Sequence, residues 1–373
     1  MHLILIALII GIIYFAQERL YRKYWKKGLR TGLSFSREYM ECGEEAELTL
    51  EIENGKALPL PVFHYKFSVD RALRFRDMEN SVVTDCYHRN DVFSILGHQR
   101  IKRTLAFRGS ERGFFRVESV NIMVRDFFMS RLFAMSKKEE LGIYVFPKKI
   151  DVRELTSLTR GRAGEMAARR SLMEDPISFR GLRDYQSGDP YRAINWKQSA
   201  RTGEWKVNLY EATQDAEVKI LLNLDTDSMI RADRLLETSI SLTSSLARAH
   251  LAEKERVSVW CNGRTEEDLE LSEPGMGSEL SHSITVDKYL TMIRKSAGKD
   301  AFLARLDAEA KSIDRNTLYL VISPYYKEDL LLRLDRLKRE DATVLCVVPY
   351  YKRVGFEPRR PYLKGWEVSE YED

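Results

Sequence analysis

Val218-Lys-Ile-Leu-Leu-Asn-Leu224 is a mostly apolar run that ends beside Asp225, and a long amphipathic helical pattern follows it over Ile230 to Ala252. Short apolar runs separated by helical patterns are typical of the strands of a parallel sheet. The alternation continues toward the C-terminus, with strands predicted at Arg256–Cys261, Thr317–Ile322 and Thr343–Val348, and helical patterns over 286–313 and Lys327–Arg339. Because a parallel sheet is covered by helices on both faces, this pattern predicts a doubly wound α/β domain.

A charged and aromatic stretch precedes this domain, and we call residues 180–206 the signature: Arg-Gly-Leu-Arg-Asp-Tyr-Gln-Ser-Gly-Asp-Pro-Tyr-Arg-Ala-Ile-Asn-Trp-Lys-Gln-Ser-Ala-Arg-Thr-Gly-Glu-Trp-Lys. Asp189 followed by Pro190 is a helix-start signal, and Gly203 is a stop signal. A helix between them would place four polar or aromatic side chains on one face: Arg192, Asn195, Trp196 and Ser199.

The signature has two interpretations, which are compatible with each other. Trp, Tyr and Arg together are the usual anchors of protein interfaces, which favours a docking surface for a protein partner. The alternative is a structural clasp that joins two domains. A catalytic role would require a nucleophile beside a base, and this stretch contains no His or Cys. The candidate residues for docking or structure are Arg183, Asp184, Tyr185, Gly188, Asp189, Arg192, Asn195, Trp196, Lys197 and Arg201.

The signature resembles that of the bacterial and archaeal family called domain of unknown function 58, in which Arg-x-Tyr-x-x-Gly-Asp-x-x-Arg-x-Ile-x-Trp-Lys-x-x-Ala-Arg precedes a von Willebrand factor A-like domain. Upstream, the run from Arg112 to Val117 and the Asp126-Phe-Phe motif are similar to further family elements, although the second lacks the family's Pro and Gly. Asn195 also stands where the family commonly has Asp. The resemblance implies a non-enzymatic membrane protein that works with a protein partner such as a MoxR-type AAA+ ATPase.

Von Willebrand A domains often hold Mg²⁺ through Asp-x-Ser-x-Ser after the first strand, so the resemblance raises the question of a metal site. Here the loop reads Asp225-Thr-Asp-Ser-Met229, and a Met thioether is a poor ligand for a hard cation. We therefore expect no cofactor and a structural loop. The alternative function is a metal-dependent ligand-binding module, whose degenerate site would use Asp225, Asp227 and Ser228.

Residues 31–147 have a different pattern, which predicts an antiparallel β-sandwich. Ala46 to Glu53 alternates apolar and polar residues, and Asn54-Gly55 then supplies a hairpin-type turn. Further strands are predicted at Val62–Val69, Gln99–Phe107, Gly113–Val124 and Leu141–Pro147. Residues 148–179 are basic and lack a clear apolar face, which indicates a linker, partly helical or mobile, ahead of the domain at 180–373.

The N-terminal segment, residues 1–30, is predicted to be a membrane anchor. Leu3 to Ala16 is an uninterrupted apolar run that would span roughly 21 Å as a helix, against a hydrocarbon core of roughly 30 Å. The basic residues follow this run: Arg19, Arg22, Lys23, Lys26, Lys27 and Arg30. The positive-inside rule then predicts a single-pass protein of the cell membrane, with the bulk of the chain in the cytoplasm. A monotopic helix and a cleaved signal peptide are the alternatives.

Composition limits the remaining function classes. The formal net charge is only +4, with no chain-wide basic field of the kind that nucleic-acid-binding proteins show. The four cysteines are scattered, with no Cys-x-x-Cys pair, which argues against a disulfide framework or a zinc site. The sequence identifies no small-molecule substrate.

Overall fold

The computed structural model of the chain describes residues 2–172, 179–186, 191, 194–210, 217–227, 232–265, 271–314, 316–340 and 342–369. The chain divides into two compact units. The first, which we call the strand-rich unit, contains residues 1–149 together with Leu290–Met292, and the second contains the rest of the chain.

Helix α1, His2–Tyr24, begins the strand-rich unit. Its first half is apolar and exposed, and Ile4–Tyr24 is long and apolar enough to cross a membrane by length and composition. Its last turn is different, because Tyr21 and the following Trp25 are buried in the hydrophobic core of this unit. The prediction of an N-terminal apolar helix is therefore confirmed, and its end is part of the folded unit.

Ten strands in two sheets form the rest of this unit. One sheet has the order β1-β3-β8-β5 and the other has the order β2-β10-β9-β4-β7-β6. Both sheets contribute alternate side chains to one core, among them Leu48 and Phe107 from the first sheet and Phe63 and Val117 from the second. The strands are β1 Leu29–Phe35, β2 Tyr39–Glu41, β3 Glu45–Asn54, β4 Leu60–Asp70, β5 Leu73–Phe75, β6 Ser81–Val83, β7 Cys86–Ile95, β8 Arg100–Gly109, β9 Gly113–Arg125 and β10 Leu132–Phe146.

The hairpin turn predicted at Asn54-Gly55 is wrong. Strand β3 pairs with β1 and β8, whereas the next strand, β4, belongs to the other sheet. Asn54 is fully buried, and its side-chain amide donates to the carbonyl oxygens of Leu58 and Leu96, both at 2.9 Å. Asn54 therefore connects two loops where the chain crosses from one sheet to the other. The local sequence does not distinguish this role from that of a hairpin turn.

The second unit is built around a parallel sheet with the strand order β14-β13-β17-β18-β19. All four neighbouring pairs are parallel. The strands are β13 Glu217–Leu222, β14 Arg256–Cys261, β17 Thr317–Ile322, β18 Thr343–Tyr351 and β19 Leu363–Val368. The limits of β14 and β17 agree with those predicted from the sequence, and β19 was not predicted.

Helices connect these strands. They are α4 Ala232–Ala252, α5 His282–Met292, α6 Lys299–Glu309 and α7 Glu328–Arg339. The apolar sides of α6 and α7 pack with one set of alternate strand residues, which includes Tyr319, Val321 and Cys346. The helical pattern read over 286–313 is two helices, because the short strands β15 Gly263–Arg264 and β16 Lys295–Ser296 pair with each other and interrupt it.

The stretch read as an inter-domain linker, 148–179, contains helix α2, Arg153–Leu172. Leu155 and Thr159 at its start are fully buried, and the Thr159 hydroxyl lies 3.3 Å from Nε2 of His250 on α4. A buried leucine and a polar contact thus hold the start of α2 to its own unit.

Candidate functional site

The signature folds around a small core of its own. Strand β11, Phe179–Asp184, pairs antiparallel with β12, Lys206–Tyr210, and helix α3, Trp196–Thr202, lies between them in sequence. Ile194 forms an isolated bridge with Val207, and both side chains are buried with Tyr185 packed against them. Three side chains from separate parts of the signature therefore hold it together.

Helix α3 begins at Trp196, not at Pro190 as predicted. Ile194 and Asn195 pair instead with the start of β12, because Ile194 bridges to Val207 and the Asn195 amide donates to the carbonyl oxygen of Lys206 at 2.8 Å. The Asn195 side chain then caps the helix by accepting from the amide of Gln198 at 3.1 Å. Gly203 ends the helix in the left-handed conformation at φ 72°, as predicted.

The prediction that Asn195 shares a helical face with Trp196 and Ser199 is therefore wrong. Asn195 precedes the helix, and Trp196 and Ser199 lie on it. The candidate residues Gly188, Asp189 and Arg192 lie outside the described residues, as does Ser228 in the loop after β13. The family's common Asp is replaced at position 195 by an amide that can cap the helix equally well.

Four aromatic rings gather on the outside of the signature. The Trp205 ring centroid lies 5.5 Å from Tyr185, 6.3 Å from Tyr191 and 6.1 Å from Trp196. Tyr191 is 67% exposed, Trp196 is 63% exposed and Trp205 is 50% exposed. We call these three residues the aromatic cluster. Large aromatic side chains exposed next to each other are unusual on a monomer and are typical of interfaces.

Several described charged residues of the signature lie close in sequence to this cluster. Lys206 forms ion pairs with Asp184 and, at 3.1 Å, with Glu204. Hydrogen bonds to these two carboxylates hold the pKa of Lys206 above its usual value. Arg183 donates to the carbonyl oxygen of Asp184 at 3.1 Å, and Lys197 and Arg201 are exposed on α3. The rim of the cluster is therefore polar and charged, as interface rims are.

The second candidate region is the carboxyl edge of the parallel sheet. The chain passes from β13 to β14 on one side, and β17 to β19 lie on the other side of β13. The order reverses between β13 and β17, and open α/β sheets bind ligands outside the carboxyl ends of the strands at such a point. Asn223 and Asp225 follow β13, and Asn262 follows β14.

Hydrogen bonds among side chains occupy this edge. Nδ2 of Asn262 donates to Oδ1 of Asn223 and to Oδ2 of Asp225, both at 2.9 Å. Oδ1 of Asn262 accepts from the amide of Leu224 at 2.8 Å. The Ser296 hydroxyl donates to Oδ1 of Asp225 at 2.8 Å. Both carboxylate oxygens of Asp225 are therefore engaged by neighbouring donors.

The electrostatics of Asp225 follow from this environment. Burial raises its pKa above the usual value, and the hydrogen bonds from Ser296 and Asn262 offset only part of that effect. Asp227, two residues later, is exposed and forms an ion pair with Lys327 at 3.0 Å. Asp225 thus faces a partly buried hydrogen-bond network, whereas Asp227 faces a cation at the surface.

These contacts do not fit the magnesium site considered for this loop. Asp225 already accepts hydrogen bonds from two donors, and Asp227 pairs with a lysine. Over the part of the chain that the structure describes, no three His, Cys, Asp or Glu side chains are placed to hold a metal ion. The contacts of Asp225 are those of a structural carboxylate.

A cavity of about 510 Å³ opens at the same edge of the sheet. It lies beside the ends of β13, β17 and β18, and its floor includes the buried residues Pro324, Pro349 and Tyr351. Half-buried rings and two cations line its sides and rim, namely Tyr326, Tyr350, Lys327 and Arg359. Its size and its aromatic walls are those of a ligand pocket.

Sequence reasoning missed Tyr191 and Trp205 as site residues, and it also missed the cavity. The signal for the two rings was available, because both lie in the signature beside the chosen residues. The cavity had no comparable local signal, since its walls come from three loops that are far apart in the sequence.

The comparisons with known proteins bear on this same segment. Residues 181–349 match the family model described as "Protein of unknown function DUF58". This match supports the predicted resemblance to DUF58. The matched segment begins inside the signature and ends within β18, so it contains most of the signature and the hydrogen-bond network around Asp225, but only part of the cavity. The description of DUF58 assigns no activity, and no curated protein matches the chain.

Similar solved structures are remote. A conserved hypothetical protein, BatB from Bacteroides thetaiotaomicron, is 12% identical, with 37% of this chain and 68% of that one covered at a TM-score of 0.28. The CARDB domain of PF1109 from Pyrococcus furiosus is 10% identical, with 32% of this chain and 93% of that one covered at a TM-score of 0.21. At these scores neither structure supports an argument about fold or function.

Proposed function

We propose that this protein is a non-enzymatic, membrane-tethered adaptor that binds a protein partner through the aromatic cluster of the signature. In this proposal the strand-rich unit is a β-sandwich, and the parallel sheet is the centre of a doubly wound, von Willebrand A-like module. The bulk of the chain faces the cytoplasm. The partner class follows from the family resemblance, which points to a MoxR-type AAA+ ATPase.

Two observations support the tether. The apolar part of α1 is exposed, while Tyr21 at its end is buried in the core of the strand-rich unit. A signal peptide is removed after translocation, so its end is not expected to anchor a core of the mature protein. The basic residues from Arg19 to Arg30 follow the apolar run, which supports a cytoplasmic location for what comes next.

The aromatic cluster is the observation that carries the binding role. Its three rings are half exposed or more. Trp196 lies on α3 and Trp205 directly precedes β12, and the signature around them is held by Ile194, Val207 and Tyr185. A clasp would be expected to bury its largest side chains against the body that it joins. Rigid exposed aromatic residues with a charged rim instead match the hot spots of protein interfaces.

The cavity at the carboxyl edge offers a second contact point for the same partner. Tyr326 and Tyr350 supply apolar walls, and Lys327 and Arg359 supply positive charge at the rim. A short peptide segment with an apolar side chain and a neighbouring carboxylate would satisfy both features. The cavity is a secondary site in this proposal, because the binding role is argued from the aromatic cluster.

The test is capture of a MoxR-type AAA+ ATPase from the same organism by the detergent-solubilised full chain. Removal of an interface hot spot costs 2 kcal/mol or more, so Trp196→Ala and Trp205→Ala should each weaken binding by about 30-fold or more. Leu332→Ala is the matched control, because Leu332 is a 52% exposed apolar residue on α7 of the same unit.

The outcomes separate the two interpretations of the signature. If the tryptophan variants keep their fold and lose the partner while the Leu332 variant binds normally, the docking role is supported. If both variants unfold, the signature is a structural clasp. If both keep their fold and bind the ATPase as tightly as the unaltered chain, the aromatic cluster is not the interface.

A further inference from the structure

The turn between β9 and β10 presents an apolar tip. Phe127 is 62% exposed, Phe128 is 48% exposed and Met129 is 57% exposed. Leu132, the first residue of β10, is 50% exposed. Three consecutive exposed apolar side chains in a turn are unfavourable in water, where polar turn residues are the rule. This tip therefore needs a partner other than water.

Hydrogen bonds fix the shape of the turn. Asp126 is fully buried, and its carboxylate accepts from the Ser130 hydroxyl at 2.6 Å and from the Arg131 amide at 3.1 Å. The Met129 amide donates to the carbonyl oxygen of Asp126 at 3.0 Å, and Met129 adopts a left-handed φ of 57°. The apolar tip is therefore presented by an ordered turn.

The same turn is joined to helix α1. The Phe128 ring stacks on Tyr14 with centroids 6.1 Å apart and an interplanar angle of 28°. Nε2 of Gln17 donates to Oδ2 of Asp126 at 2.8 Å, and Arg131 forms an ion pair with Glu18 at 3.1 Å. A ring contact, a hydrogen bond and an ion pair thus fix the position of the turn along the axis of α1.

The turn lies beside the C-terminal end of the apolar part of α1. Tyr14 lies two residues before Ala16, where the apolar run ends, a distance of roughly 3 Å along the helix. The rings of Tyr14 and Phe128 continue to Phe127 at 5.6 Å and to Phe15 at 5.7 Å, which makes one aromatic group shared by helix and turn. Aromatic residues concentrate where the hydrocarbon core meets the headgroups.

We propose that the β9–β10 turn inserts into the boundary between headgroups and acyl chains of a lipid bilayer, beside α1. This inference rests on the proposed membrane tether. A bilayer is favoured as the occupant because the tip is continuous with the exposed apolar side of α1. Exposed Arg125 and Arg131 lie on either side of the tip, where they would meet anionic headgroups.

The consequence is a second attachment point for the strand-rich unit. A single helix leaves a domain free to rotate about the helix axis, whereas a helix and an adjacent apolar turn fix its orientation. The turn also adds apolar contact beside a run that spans only roughly 21 Å, which is short for a bilayer core of roughly 30 Å.

Fluorescence quenching of the full chain in lipid nanodiscs tests the proposal. The half-buried Cys42 and Cys86 are first changed to serine, so that an environment-sensitive nitrobenzoxadiazole label reacts only at an introduced exposed cysteine. The labelled positions are Met129→Cys at the tip and Ile12→Cys on α1, with Phe127→Cys as a second tip position. Nanodiscs of phosphatidylcholine and phosphatidylglycerol carry a doxyl quencher on the acyl chain.

Val82→Cys is the matched control. Val82 is 64% exposed and pairs with His88, which pairs with Ser68 on β4. Val62, six residues earlier on β4, pairs with Arg125 at the base of the turn. The control therefore lies roughly 20 Å along the strands from the proposed insertion, at a similar exposure.

We expect the doxyl lipid to remove most of the fluorescence at positions 129, 127 and 12, and none at position 82. Quenching at position 12 without quenching at 129 and 127 would overturn the insertion of the turn while leaving the tether intact. A label at 129 that is shielded from aqueous iodide but not quenched by lipid would show a protein contact instead. The absence of quenching at position 12 would overturn the tether, and the insertion with it.

Discussion

The signature and the carboxyl edge of the parallel sheet place their characteristic side chains in opposite environments. At the carboxyl edge, Asn223 and Asn262 are buried and their side chains hydrogen-bond each other and Asp225. In the signature, Trp196 and Trp205 are exposed and contact each other at the surface. The first region satisfies its polar groups internally, and the second leaves its apolar groups in water.

This difference separates stability from binding. A buried polar group is costly when its partner is lost, so a closed network such as that around Asn262 mainly stabilises the fold. An exposed ring contributes little to folding and gains most of its burial only when a partner covers it. Substitutions in the two regions should therefore differ in what they damage, and the following predictions test that contrast.

Between the two regions, the largest effect on stability is expected for Asn262→Ala. This change leaves the Leu224 amide and Oδ2 of Asp225 without their buried partner, so the free energy of unfolding should fall by about 3 kcal/mol. Asn195→Ala is the matched change in the signature, where loss of a helix cap should cost about 1 kcal/mol. Chemical denaturation of both variants measures the difference. Equal losses would show that the signature is as tightly coupled to the fold as the carboxyl edge.

A smaller effect on stability is expected for the tryptophans. Both rings are half exposed or more, so Trp196→Ala and Trp205→Ala should each cost about 1 kcal/mol or less. Phe302→Ala is the contrast, because Phe302 is 1% exposed in the core beside the sheet and should cost about 3–5 kcal/mol. Thermal unfolding followed by circular dichroism compares them. A loss for either tryptophan as large as that for Phe302 would contradict the surface role.

The parts of the fold that could be predicted are those specified by local pattern. Strands β14 and β17 were placed to the residue because apolar runs with clear ends need no distant contact to be recognised. Strand β19 was missed because its alternation is interrupted by Gly365. A Cβ there would lie 2.6 Å from the Phe356 ring, so the glycine reflects packing against a loop earlier in the chain.

The start of α3 could not be predicted for a related reason. Asp189-Pro190 is a correct local signal for a helix start, but Ile194 and Asn195 pair with Lys206 and Val207, which lie beyond the helix. That pairing keeps both residues out of the helix, which starts at Trp196. The composition of the site was readable from the signature, whereas the exposure of Tyr191 and Trp205 depended on which residues formed the small core beneath them.

The smallest effect is a pH dependence of the protein's stability that comes from Asp225 at the carboxyl edge. It would show that Asp225 affects folding, in contrast to the exposed rings of the signature. Its pKa is raised above 3.8 by burial, so the folded protein binds its proton more tightly than the unfolded chain. The stability that this group contributes is present below pH 3.8 and is lost as the pH rises through the folded pKa. Asp225→Asn cannot ionise. The melting temperature of this variant minus that of the unaltered protein should therefore increase as the pH is raised from below 3.8 to neutral. Ser296→Ala should make the loss in the unaltered protein steeper, because it removes a hydrogen bond that favours the carboxylate. A difference between Asp225→Asn and the unaltered protein that stays constant with pH would mean that Asp225 is as well solvated in the fold as in the unfolded chain.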